Sequence, residues 1–149
     1  MLVYLDICCF NRPFDKQDQL LVRLQTEAKL HVQAMVRAGE LQLVWSAVMD
    51  LENAANPDVE RRIAVANWAR LASMDVPPCE QVEKIAAEFA LMGVKPMDAL
   101  HVASAVTARA DYFLTTDQAL LRKLALEMRI HAIDPIDFVR SLPGEFYEN

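Results

Sequence analysis

The chain has 149 residues, 54% of them hydrophobic and 24% charged, with a formal net charge of −6. That size and balance suit one compact soluble domain able to bury a core. The charge excludes a generally basic nucleic-acid binder, which neutralises phosphates with lysine and arginine, but not a nuclease that carries its positive charge as bound cations.

Further classes fall away on local grounds. No run of about 18 uncharged apolar residues is present, so no membrane span is expected. Asp6 interrupts the opening apolar run and no basic segment precedes it, which speaks against a secretory signal. The three cysteines, Cys8, Cys9 and Cys79, show no Cys-x-x-Cys spacing and two are adjacent, poor geometry for a disulfide framework or a zinc site. A reducing cytoplasm is the expected location.

Met1 to Leu5 is a short apolar run ended by Asp6 and reads as a buried strand with that acid at its carboxyl end. Cys8 to Asp15 reads as a loop because of Asn11 and Pro13. From Gln17 to Ala38, Leu21, Leu24, Ala28 and Met35 recur at helical spacing before Gly39. Leu41 to Trp45 is a second strand, and Ser46 is placed to cap a helix that carries Asp50 and Glu52. Asn56-Pro57 opens a helix to about Ala72 with Val59, Ile63 and Ala66 on one face.

Met74 to Val76 is a very short strand, and Cys79 to Met92 a helix with Val82, Ile85, Ala86 and Phe89 on one stripe. Pro96 opens a helix with Asp98 in its first turn, and Tyr112 to Thr115 is a strand that runs into Asp117. Gln118 to Glu127 is helical, Ile130 to Ile133 a last strand, and Pro135 starts a helix to about Ser141. The alternation predicts an α/β fold: one domain over 1–141 with a short, parallel, five-stranded sheet and helices on both faces, followed by a tail at 142–149.

On this sketch Asp6, Glu52, Asp98 and Asp117 reach one edge of the sheet, where open α/β sheets bind ligands. Each acid has a plain structural reading: Asp6 holding a turn, Glu52 facing solvent, Asp98 favouring its helix dipole, Asp117 capping a helix. Gathered together, they repel and raise one another's pKa unless a cation is present, and hard oxygen ligands suit Mg²⁺ or Mn²⁺. Paired ions of that kind serve phosphodiester hydrolysis.

Four segments carry a family resemblance: Val3-Tyr4-Leu5-Asp6, Trp45 to Glu52, Met97 to Ala105, and Leu114-Thr115-Thr116-Asp117. In order and separation they resemble the PIN domain, the nuclease fold of the VapC-like toxins, over nearly the whole chain. The resemblance implies that Asp6, Glu52, Asp98 and Asp117 are the catalytic, metal-holding acids for Mg²⁺ or Mn²⁺, with Thr115 a supporting hydroxyl. It also implies an endoribonuclease acting on RNA, the toxin of a type II toxin–antitoxin pair, silenced by an antitoxin protein and assembling as a homodimer. The sequence departs from the family where Ile7 and Cys8 replace the usual Thr or Ser and then Asn after the first Asp, and Asn11 is the candidate to take over the polar role.

His101, one turn after Asp98, is placed to orient a carboxylate or water, with direct ligation the less favoured role. Asp50 and Glu52 point apart on a helix, so one of them faces the cluster, and Asp111 falls at the opposite edge. Trp45 and Trp68 read as core, the Cys8-Cys9 pair as packing, and Arg12, Lys16, Arg61, Arg62, Lys95, Arg122 and Lys123 as possible phosphate contacts. The competing reading is a catalytically impaired PIN-like module that binds RNA or protein. An aspartyl-phosphate enzyme fits poorly, since Asp6 lacks an Asp-x-Asp partner.

Overall fold

The computed structural model describes residues 1–11 and 19–143, with the backbone alone at Asn11. Five strands, β1 (Leu2–Leu5), β2 (Gln42–Ser46), β3 (Ala72–Val76), β4 (Tyr112–Leu114) and β5 (His131–Ile133), form a sheet in the order β3-β2-β1-β4-β5 with every pairing parallel. The chain winds outward from β1 through β2 to β3, then returns to place β4 on the other side of β1. The crevice between β1 and β4 is therefore the switch point of the sheet, the place where a doubly wound fold leaves room for a ligand.

The central strands are apolar throughout because both faces are covered, as parallel sheets require. Tyr4 and its register partner Phe113 stack at 5.5 Å on the face that meets α6 (Pro96–Thr107). Leu5, one residue on, turns to the other face, where it lines a small space with Lys29 and Val32 of α2 (Leu20–Arg37) and Pro135 of α8 (Pro135–Ser141). α3 (Ala47–Ala54) and α5 (Glu80–Leu91) complete the α6 layer, and Val82, Ile85, Ala86 and Phe89 of α5 are all buried, as their spacing predicts. Gly39 and Gly93 follow α2 and α5 with φ of 77° and 89°, the left-handed conformation that ends a helix at little cost when no Cβ is present.

Several expectations are corrected. Ile7–Asn11 is a short helix, α1, where a loop was expected: the Asp6 carbonyl accepts the Cys9 N–H, and Cys9 and Phe10 are buried. Pro13 lies outside the described residues. The cap of α4 (Val59–Asn67) is Asp58 instead of Asn56, whose side chain accepts the Asp58 N–H in the turn before it. That helix stops early, because Trp68–Leu71 tightens into a 3₁₀ turn and Ala72 already begins β3. α7 (Gln118–Lys123) likewise ends short of Glu127, whose carboxylate pairs with Arg129 in the connection to β5.

The buried stripes of α2 and α4 are also displaced from those expected. Leu21 and Leu24 are exposed while Gln25, Lys29 and Gln33 are buried, and on α4 Val65 is buried while Val59 and Ile63 are not. Partners explain the inversion on α2: Gln25 donates to Asp134 at 3.1 Å and the Lys29 ammonium donates to the Cys8 carbonyl at 2.9 Å. Asp134 also caps α8 through the Ile136 N–H. Among the described residues no helix is long and apolar enough to cross a membrane. Asp134→Ala removes the cap of α8 and leaves the buried Gln25 amide unpaired, so a loss of about 2 kcal/mol is expected, read as a lower urea midpoint with an unchanged slope.

Candidate metal centre

β1 delivers Asp6 straight into the switch-point crevice. The carboxylate is buried, and it accepts the Ile7 N–H on Oδ1 at 2.8 Å and the Thr115 hydroxyl on Oδ2 at 2.8 Å. Thr115 comes from the end of β4, where it also accepts the Asp117 N–H at 3.2 Å. The two strand ends are thus stitched together by one acid and one hydroxyl. Burial nevertheless pushes the Asp6 carboxyl above its ordinary value, against the lowering influence of His101 and of the Thr115 hydrogen bond.

The other acids arrive from different elements. Asp117 caps α7, with Oδ1 accepting the Leu120 N–H at 3.1 Å. Asp98 stands in the first turn of α6 behind Pro96, and its carboxyl is raised by burial first, then by the charges of Asp6 and Asp117 and, more weakly, of Glu52. Glu52 projects from α3, where its Oε1 lies 2.9 Å from His101 Nε2. Asp98 thus feels Asp6, Asp117 and Glu52, and Asp6 feels Glu52. The tightest group is Asp6, Glu52 and His101, each offering one donor atom within 4.8 Å of the others, and Asp98 and Asp117 stand outside that inner set.

His101 is fully buried with both ring nitrogens engaged, Nδ1 by the Tyr4 hydroxyl at 2.7 Å and Nε2 by Glu52. Asp50 is drawn away to the Trp45 indole N–H at 2.8 Å, and Asp111 accepts the Leu2 N–H at the amino end of β1, the opposite edge of the sheet. Trp45 and Trp68 are buried. Arg61 pairs with Asp58, Arg62 donates to the Asn56 carbonyl, and Lys123 donates to the Gly93 carbonyl, so each serves local structure. The side chains of Asn11, Arg12 and Lys16 lie outside the described residues.

Two features escaped the sequence. Cys8 is not mere packing: its sulfur lies 3.6 Å from Asp6 Oδ2 and 3.6 Å from the Thr115 hydroxyl, and it accepts the Thr116 hydroxyl at 3.3 Å and the Thr116 N–H at 3.5 Å. The thiol stands at the second position after Asp6, where the family pattern has Asn, while Ile7 at the first contributes its backbone N–H. The second is Tyr4, whose hydroxyl also contacts Ser46. The residue types alone did not mark either as part of the site.

A cavity of about 480 Å³ between α2 and α4, lined by Phe10, Leu30, Arg37 and Trp68 among others, contains none of the acids. The acids line a separate crevice at the switch point of the sheet. Its donor set is one of hard oxygens that cannot all ionise comfortably without a cation, which fits Mg²⁺ or Mn²⁺ and fits zinc or copper poorly. Among the described residues, Asp6, Glu52 and His101 are the group whose donor atoms stand close enough together to share an ion.

The model of the PIN domain family matches residues 3–126. The solved structure of VapBC2 from Rickettsia felis bound to a DNA fragment from their promoter is similar over 90% of this chain and 98% of that one, with a TM-score of 0.56 and 10% sequence identity. No curated protein matches the sequence.

The raised carboxyls of Asp6 and Asp98 set a sign for pH. Their folded-state values exceed the unfolded ones, so the metal-free protein is stabilised below the ordinary carboxylate range and loses that contribution as pH rises through the folded values. Asp98→Asn should therefore stabilise the metal-free protein at pH 7.5 by on the order of 0.5 kcal/mol after allowing for solvent screening of a partly exposed group, read as a higher melting temperature. In the wild type, Mn²⁺ should raise the melting temperature at pH 7.5 and do so less at pH 5, where protons compete for the same oxygens.

Proposed function

Because this chain belongs to the PIN domain family, we propose that it is a Mg²⁺- or Mn²⁺-dependent endoribonuclease, the toxin of a toxin–antitoxin pair. The observation that supports the reading is the meeting of Asp6 and Glu52 beside His101, with donor atoms within 4.8 Å of one another, and of Asp98 near enough to feel Asp6, Glu52 and Asp117. When bound, the cation supplies positive charge to the phosphodiester and acidifies water. The chain's own part is to hold that charge in place: Asp6 is fixed by Thr115 and the Ile7 N–H, Asp117 by its helix cap, and Asp98 by the start of α6.

Hydrolysis adds one water across the P–O3′ bond and leaves a 5′-phosphate and a 3′-hydroxyl. A net charge of −6 gives the surface little attraction for RNA, so substrate affinity depends on the loaded crevice more than on lysine and arginine. An antitoxin that covers the crevice and a homodimeric assembly belong to the same proposal, as does action in the cytoplasm. The likeness to VapBC2 supports the fold on which this reading stands.

Unstructured RNA incubated with the protein and Mn²⁺ should be cut to 5′-phosphorylated fragments, with chelator abolishing the reaction. Asp98→Asn should reduce the rate by at least about 100-fold, on the scale of losing one group that stabilises transition-state charge. A wild type that binds Mn²⁺ yet cuts no better than Asp98→Asn would instead make the protein a binding module.

A further inference from the structure

Four side chains form a polar circuit through an apolar core. Ser46 Oγ caps α3 by accepting the Met49 N–H at 3.1 Å. The Tyr4 hydroxyl lies 2.7 Å from Ser46 Oγ and 2.7 Å from His101 Nδ1, and His101 Nε2 lies 2.9 Å from Glu52 Oε1. The path leaves α3 at its first turn, crosses β1 and α6, and returns to α3 at Glu52. Tyr4, Ser46 and His101 are each 0% exposed. A phenylalanine would fill the space of Tyr4 against Phe113, so the buried hydroxyl and imidazole carry a desolvation cost that packing does not explain.

Counting hydrogens gives the circuit a direction. With the Glu52 carboxylate as the final acceptor, the assignment that gives every hydrogen an acceptor runs from Met49 N–H to Ser46, Ser46 O–H to Tyr4, Tyr4 O–H to His101 Nδ1, and His101 Nε2–H to Glu52. Reversing the Tyr4 hydroxyl leaves the Ser46 hydrogen with no acceptor in the circuit. The imidazole therefore presents Nε2–H to the carboxylate while its other nitrogen is held from behind.

From this geometry we infer that Tyr4 and Ser46 are positioning residues, which fix the tautomer and ring of His101 so that His101 holds the Glu52 carboxylate in the acid crevice. The inference rests on the reading above, in which Glu52 helps to hold a divalent cation. Asp6 and Asp117 follow directly from strand ends, and Asp98 from a helix start. Glu52 alone comes from the last turn of a helix, with its side chain 30% exposed, and the circuit supplies the anchorage that its backbone position does not.

Tyr4→Phe deletes one oxygen and keeps the ring on Phe113. In a Mn²⁺ titration followed by the electron paramagnetic resonance of the free ion, its half-saturation concentration should rise about 10-fold or more, the usual scale for losing an outer partner of a metal ligand. RNA cleavage by this variant should recover at high Mn²⁺. In a Glu52→Gln background the same substitution should add nothing, because its effect passes through Glu52. Should Tyr4→Phe fail to fold, Ser46→Ala breaks the circuit one residue earlier and is expected to weaken Mn²⁺ binding in the same way.

An unchanged half-saturation in a folded variant, or an equal further loss in the Glu52→Gln background, overturns the inference. So does nitrogen hyperfine coupling from His101 on the bound Mn²⁺, which would make the imidazole a ligand in its own right. A wild type that binds no Mn²⁺ overturns this inference and the proposed function together, whereas normal wild-type binding and cleavage with an indifferent Tyr4→Phe overturns this inference alone.

Discussion

The structure depends on a carboxylate taken out of water. Asp6 lies at the end of the central strand, and the Ile7 N–H and the Thr115 hydroxyl offset only part of what its burial costs. Both donors are products of the fold: one exists because α1 begins at once after β1, the other because Leu5 and Leu114 are in register across β1 and β4. A slip of one residue in that pairing would move the hydroxyl to the other face of the sheet and leave the acid without its side-chain donor.

Around that acid the fold accumulates negative charge where a structure selected for stability alone would not. Asp98 is pushed up by its neighbours as well as by burial, a conflict that a proton or a cation resolves. The remainder of the core is conventional by contrast: apolar strands, a stripe of α5 that packs as its period dictates, and helix caps at Ser46, Asp58, Asp117 and Asp134. Local rules hold over most of the chain and fail at two places, the polar buried face of α2 and the acid crevice.

Most of this was legible in the sequence where burial on both faces writes a plain signal. β1, β2 and β4 are apolar runs, and the acids that follow or flank them could be placed because strand ends are easy to locate. β3 was only partly read, since an edge strand with Ser73, Met74 and Asp75 exposed gives no clean apolar run. The buried face of α2 was misjudged for a different reason. Hydrophobic periodicity assigns Gln25 and Lys29 to solvent, and distant partners such as Asp134 and Cys8 help to make their burial tolerable. The Tyr4–His101 contact spans 97 positions and the Cys8–Thr115 contact 107, distances across which composition and spacing carry no information.

An all-parallel sheet whose central strand comes first also governs when the crevice can exist. Asp6 is made early, but the hydroxyl that supports it lies 109 positions later, and Asp117 later still. At about 5–20 residues per second, synthesis separates the two by roughly 5–20 seconds. A nascent chain with β4 still inside the ribosome holds Asp6 and Glu52 without the strand that closes the switch point. The crevice is therefore completed only after β4 has been made and has paired with β1.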